Sequence, residues 1–172
     1  DKYVLWLNGE LVVLDGSLKR GPTPYDSYYD EIKLNLKEGE NTIAMLVAFN
    51  GRSGDGSIVP VAQDEEGDDY NQAGMIFQMQ VGNTLVVSSW KAQRHPGYKN
   101  RVTAGKDYPN YTQMSMLAER NLYFDARDDI GAFMNPGFDD SAWENATPVG
   151  VAGQLPFGAL YEAIIDPIRF YE

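Results

Sequence analysis

Apolar residues fall along this chain in short runs broken by Gly, Pro, Asn and Asp, and no long stripe with a 3.6-residue period runs through it. That is the pattern of an all-β protein. The clearest unit is YVLWLNGELVVL, Tyr3 to Leu14, where two β-branched and aromatic runs flank Asn8-Gly9. Asn-Gly tolerates the positive φ angles of a type I′ turn, so the pattern predicts a hairpin over Tyr3–Leu14. The stretch DGSLKRGPTPYDSYYDEIKLN, Asp15 to Asn35, predicts an ordered loop in its first half and a short strand over Glu31–Asn35. A Gly-Glu-Asn turn then precedes Thr42–Phe49, whose nearly continuous apolar character predicts a strand buried on both faces. The segment Ala73–Trp90 predicts a second hairpin, turning at Gly82-Asn83.

Two long polar stretches interrupt the strands, Gly51–Tyr70 and Lys91–Asn121, and in a β protein such stretches are functional or partner-facing loops. The acidic cluster Asp64, Glu65, Glu66, Asp68 and Asp69 within the first reads as a solvated face. No internal repeat or low-complexity linker divides the chain. At 172 residues it is expected to be one domain, spanning 1–172, large enough to bury a core without staples. The first residues already read as the middle of a strand, as in a fragment of a larger protein.

Composition narrows the function classes. No stretch approaches the roughly 18 apolar residues of a spanning helix, so a soluble chain with no membrane insertion is expected. The formal charge of -11 repels phosphate backbones and argues against nucleic acid as a partner. With no Cys, there are no disulfides, no thiol catalysis and no Cys-ligated zinc.

The sole histidine is His95, which excludes a His-rich zinc site, and no Gly-x-Ser-x-Gly elbow accompanies it. Preceding Pro96-Gly97, it reads as a loop residue rather than a base. GRSGDG, Gly51 to Gly56, lacks both the spacing and the following Lys of a phosphate loop, and its register fails the ligand pattern of an EF-hand. In GFDDSAWENA, Gly137 to Ala146, two adjacent carboxylates point to opposite sides of an extended backbone and are poorly placed to flank one glycosidic bond. A turn would use them instead, with Asp139, Asp140 and Ser141 accepting backbone N–H groups and Phe138 and Trp143 as buried anchors. No catalytic residue is assigned. The sequons at Asn110 and Asn145 occur at the frequency chance predicts and receive no function.

The positive signal is an aromatic loop. Sugar sites pair a ring face, stacked on the apolar face of a pyranose, with a few fixed polar groups for the hydroxyls. Arg20, Tyr25, Asp26, Tyr28 and Tyr29 on one loop, with Asn50 and Arg52 after the next strand, supply both kinds and form the candidate carbohydrate-binding set.

Taken in order, YVLWLNGELV, YYDEIKLNLKEGENTIAMLV, SSWKA, YFDARDDIGAF, PGFDDSAWENA and LPFGALYEAIIDPIRFYE resemble the accessory β-sandwich of bacterial α-L-rhamnosidases of glycoside hydrolase family 78. The likeness runs from Tyr3 to Tyr171. Single motifs are shared with the sugar-binding jelly rolls of family 2 β-galactosidases and β-glucuronidases. The order of FDAR, FDDSAW and an apolar tail favours the rhamnosidases. The resemblance implies an antiparallel, galactose-binding-like jelly-roll β-sandwich in an exported enzyme, with the acid and base in a separate catalytic domain. This chain is then a non-catalytic accessory domain whose partners are that catalytic domain and a rhamnose-containing glycan. Some family members bind terminal rhamnose with calcium in a related sandwich, so calcium is the cofactor implied, and no ligand residue is carried over for it. Three other expectations stand beside this one: a purely structural module bracing the catalytic domain, the sugar-binding domain of a family 2 β-galactosidase or β-glucuronidase, and a self-contained glycosidase using loop carboxylates.

Overall fold

Strand β1, Lys2–Leu7, lies at the centre of the best-formed sheet, between β2, Glu10–Ser17, and β5, Ile43–Ala48, and is antiparallel to both. The turn between β1 and β2 is the one the sequence predicts, with Asn8 at φ 53° and Gly9 at φ 85°. In this computed structural model, the described residues are 2–17, 19–23, 26–48, 74–86, 89–99, 123–148, 150–154 and 158–165.

The period-2 alternation of a strand puts Leu5 and Leu7 on one face of β1, where Leu5 faces Val13 of β2, and all three are buried. On the opposite face Trp6 stands in register with the buried Ala44 and meets Phe133 edge-on, ring centroids 5.5 Å apart. The pairing of β1 with β2 shifts register twice, between Tyr3 and Leu5 and between Leu5 and Trp6, as β-bulges do.

The expected strand over Thr42–Phe49 forms as Ile43–Ala48 but is half-buried, and only Ala44 is fully enclosed. Among the described strands it lies at one end of the sheet order β2-β1-β5, with a neighbour on one side only, which fits its partial burial. No strand forms over Glu31–Asn35: Ile32 and Leu34 are half-buried and their neighbours exposed, but the segment joins no ladder. The second predicted hairpin is present as β6, Met79–Val81, and β7, Thr84–Val86, turning through Gly82 at φ 58°.

The remaining strands are short. β3, Lys19–Arg20, pairs antiparallel with β4, Ser27–Tyr29. β8, Lys91–Ala92, pairs with β11, Glu144–Asn145, and β9, Tyr98–Lys99, with β10, Tyr123–Phe124. β12, Leu160–Glu162, runs parallel to β4. The only helical element among the described residues is a 3-10 turn, Ala126–Asp128, whose first turn is capped by Asp125 accepting the Arg127 amide. The regular structure of the described residues is therefore mostly strand with almost no helix, in several small and chiefly antiparallel sheets. No helix among the described residues is long and apolar enough to cross a membrane.

Phe133 links the first sheet to two loops. Beside Trp6 it also meets His95, at 6.3 Å, and Trp143, at 6.3 Å, so one half-buried ring touches the first sheet, the β8–β9 loop and the turn before β11.

Candidate functional site

The aromatic loop folds as a hairpin, and its turn fixes what each residue can reach. The Gly21 amide donates to the Asp26 carbonyl at 2.8 Å, and the Asp26 amide to the Thr23 carbonyl at 3.2 Å. The turn is so tight that a Cβ on Gly21 would lie 2.8 Å from Asp26 Cβ and 2.9 Å from the Ser27 nitrogen. Both carboxylate oxygens of Asp26 are engaged inside the protein. Oδ2 accepts the Thr23 hydroxyl at 2.6 Å and Oδ1 accepts the Ala159 amide at 3.1 Å. Asp26 thus fastens β12 to β4, with two further backbone bonds: Ser27 N–H to the Ala159 carbonyl at 3.0 Å and Ala163 N–H to the Tyr29 carbonyl at 2.8 Å.

Parallel pairing sets Tyr161 directly opposite Tyr28, with Leu160 opposite Ser27 and Glu162 opposite Tyr29. Cross-strand partners leave a sheet on the same face, so the two tyrosines stand side by side on one surface. Tyr28 is half-buried and Tyr161 is 44% exposed, which leaves ring surface open to solvent. Ser27, which is buried, marks the other face as the inward one at this end. Tyr29 shares that second face by alternation, is 40% exposed, and is separated from Tyr28 by the sheet itself.

Of the seven expected sugar-contact residues, the structure brings Tyr28, Tyr29 and the backbone of Arg20 into one three-stranded sheet, Arg20 opposite Ser27, with Asp26 in the turn that leads into β4. Tyr25, Asn50 and Arg52 lie outside the described residues, as do the acidic cluster at 64–69 and GRSGDG. Tyr161 is the residue that sequence reasoning missed. No strand was expected in the tail, and nothing local to it shows that Leu160–Glu162 pairs with β4.

His95 is a packing residue in the β8–β9 loop. Its side chain is 9% exposed and lies among Tyr98, Phe124 and Phe133, with centroid distances of 5.0, 5.7 and 6.3 Å. Nδ1 accepts the Gly97 amide at 3.1 Å and Nε2 sits 3.3 Å from Asp129 Oδ1, so both ring nitrogens have partners. Gly97 allows this arrangement, since a Cβ there would lie 2.7 Å from the Phe124 ring and 3.0 Å from the imidazole.

The run GFDDSAWENA forms the expected turn. Asp139 Oδ1 accepts the Ser141 amide at 3.0 Å, and the Trp143 amide donates to the Asp140 carbonyl at 2.9 Å. The Ser141 hydroxyl, and after it the Ser141 amide, hold the Asp139 carboxyl below its ordinary value of 3.8. Phe138 and Trp143 meet edge-on at 5.6 Å, though both rings are half-buried rather than enclosed. Lys91 Nζ donates to the Trp143 carbonyl at 3.2 Å and the Ala146 amide to the Trp90 carbonyl at 2.8 Å, fixing the turn against β8.

No protein-family model matches this chain, and no curated protein and no solved structure is detectably similar to it. The site therefore has to be read from its own chemistry. Among the described residues no three His, Asp or Glu side chains converge as a metal cage. What the β3-β4-β12 sheet offers is a paired aromatic surface, with Asp26 fastening the strands that carry it.

Proposed function

We propose that the chain is a non-catalytic accessory domain of an exported α-L-rhamnosidase, of the jelly-roll sandwich type, that assists recognition of rhamnose-containing glycans. The observation that carries the reading is the in-register pair Tyr28 and Tyr161 on one face of β4 and β12. Rhamnose is a 6-deoxy sugar whose methyl group extends the apolar side of the ring, and an aromatic face is its natural counterpart. Placing that face on paired strands rather than on a free loop lowers the ordering entropy lost on binding. The order of motifs from YVLWLNG to the apolar tail supports the family assignment.

The test is calorimetric titration and thermal melting with L-rhamnose and a rhamnosyl oligosaccharide, with and without calcium. At ten times Kd a ligand stabilises by about 1.4 kcal/mol, or roughly 3–5 °C for a domain of this length. Tyr161→Ala should remove that shift. No heat and no shift at millimolar sugar would overturn the binding reading.

A second reading, a brace against the catalytic domain, is favoured by Ile164 and Ile165, which follow β12 and are 90% and 71% exposed. Under it, Ile164→Ser and Ile165→Ser weaken association with the catalytic domain and leave sugar titrations flat.

A further inference from the structure

Asn8 does more than turn the chain. Its side chain is built into the 37–42 loop: Nδ2 donates to Asn41 Oδ1 at 3.0 Å, and Oδ1 accepts the Thr42 amide at 2.8 Å. The Asn8 amide donates to the Thr42 carbonyl at 2.8 Å. Asn41 cannot turn its own amide over to suit a different neighbour. Its Nδ2 donates to the carbonyls of Lys37 and Gly39 at 2.9 and 3.1 Å, and its Oδ1 also accepts the Lys37 amide at 3.0 Å. An acceptor therefore faces Asn8 by construction.

Asparagine followed by glycine is chemically labile, because the glycine amide nitrogen has no side chain to shield it. That nitrogen, once deprotonated, attacks Asn8 Cγ. The N–Cγ bond forms, the Cγ–Nδ2 bond breaks, and ammonia leaves with a proton taken up from solvent. Water then opens the succinimide to aspartate or isoaspartate. Ring closure requires Cγ to swing onto the Gly9 nitrogen, and the hydrogen bonds to Asn41 and Thr42 oppose that rotation.

We propose that Asn8 is a guarded deamidation site whose modification releases the 37–42 loop from the first hairpin. While the loop is docked the reaction waits on local opening. Once it has occurred, a carboxylate stands against Asn41 Oδ1 in place of a donor, and isoaspartate adds a backbone atom to a turn whose geometry depends on residue count. The loop then cannot re-form its bond to the residue 8 side chain through Asn41, and because the ammonia has left the change is one-way.

The experiment incubates the full chain in mildly alkaline, oxygen-labelled water and follows Asn8 by peptide mass mapping, beside the isolated peptide LWLNGELV. The folded chain is expected to react at least about tenfold more slowly than the peptide, the factor that an opening free energy of about 1.4 kcal/mol imposes. Asn41→Ala, checked as folded by circular dichroism, should speed the reaction. Equal rates in chain and peptide, or no acceleration in folded Asn41→Ala, would overturn the guard. If Asn41→Ala does not fold, denaturant added to the unmodified chain below its unfolding midpoint replaces it: a rate that climbs with denaturant supports the guard, and a flat rate overturns it. Asn8→Asp should melt earlier and exchange the Thr42 amide faster; a variant equal to the parent in both would overturn the release.

Discussion

Gly16 carries a sharp prediction because its lack of a side chain is occupied space. It pairs with Tyr3 across β1 and β2, and a Cβ placed on it would lie 2.1–2.5 Å from three atoms of the Tyr3 ring. Glycine in a strand is normally a weakness, and here the tyrosine ring covers it from the neighbouring strand. The same tyrosine donates from its hydroxyl to Asp30 Oδ2 at 2.8 Å, joining the first sheet to the segment after β4. Gly16→Ala must therefore expel the ring. The loss is about 1–2 kcal/mol of apolar cover for a half-buried ring, plus about 1 kcal/mol for a partly exposed bond to a carboxylate. Alanine returns about 0.5–1 kcal/mol by stiffening the unfolded chain. The net destabilisation is about 2 kcal/mol, or roughly 4–8 °C in Tm for a domain of this length. Urea and thermal unfolding of Gly16→Ala, Tyr3→Ala and the double variant form the assay. With the ring already gone, Gly16→Ala should have no cost or should stabilise by up to about 1 kcal/mol. An equal loss in both backgrounds would refute the close approach as the cause.

Three further outcomes follow from the packing and the turns. Phe133→Ala should destabilise by about 2–4 kcal/mol, toward the lower end for core aromatics because the ring is half-buried, and should change the tryptophan emission through its contacts with Trp6 and Trp143. Asp139, with its carboxyl held below 3.8, keeps its bond to the Ser141 amide above that pH and loses it as the pH falls through the lower folded value. The Ser141 amide resonance should follow that titration, and Asp139→Asn should abolish it. Asp26→Ala should cost about 1 kcal/mol and raise hydrogen exchange at Ala159 and Ser27, with β1 and β5 unaffected; protection unchanged at Ala159 would remove Asp26 as the fastener.

Local chemistry was legible in the sequence wherever neighbours in the chain decide the outcome. Asn8-Gly9 and Gly82-Asn83 turn as expected because Asn8, Gly9 and Gly82 take positive φ themselves, and Asp139 makes the expected turn because its partner, the Ser141 amide, is two residues away. Errors came where the answer depends on which strands become neighbours. Thr42–Phe49 reads as enclosed on hydrophobicity alone, yet Ile43–Ala48, at one end of the sheet among the described strands, is half-buried, and Glu31–Asn35 has a strand's alternation without a partner among the described residues. The candidate site shows the same division. Tyr28 was visible as one tyrosine of an aromatic loop, whereas Tyr161 joins it only through a pairing between distant parts of the chain. Phe133 closes the run YFDARDDIGAF but gave no sign of its packing role, because a single aromatic in a Gly- and Pro-rich stretch looks like any loop residue until three partners converge on it.

The parallel β4–β12 ladder also sets a clock for biosynthesis. Asp26 and Ala159 are 133 residues apart, so one edge of β4 must wait for its neighbour to be synthesised. At roughly 5–20 residues per second that wait is on the order of 10 s. The β1–β2 hairpin, by contrast, can close on the microsecond scale once its residues have left the ribosome. Any glycan-binding competence that depends on Tyr28 and Tyr161 together would then arise last in the life of the nascent chain, and a polypeptide truncated before residue 160 would keep its first sheet while lacking the paired aromatic face.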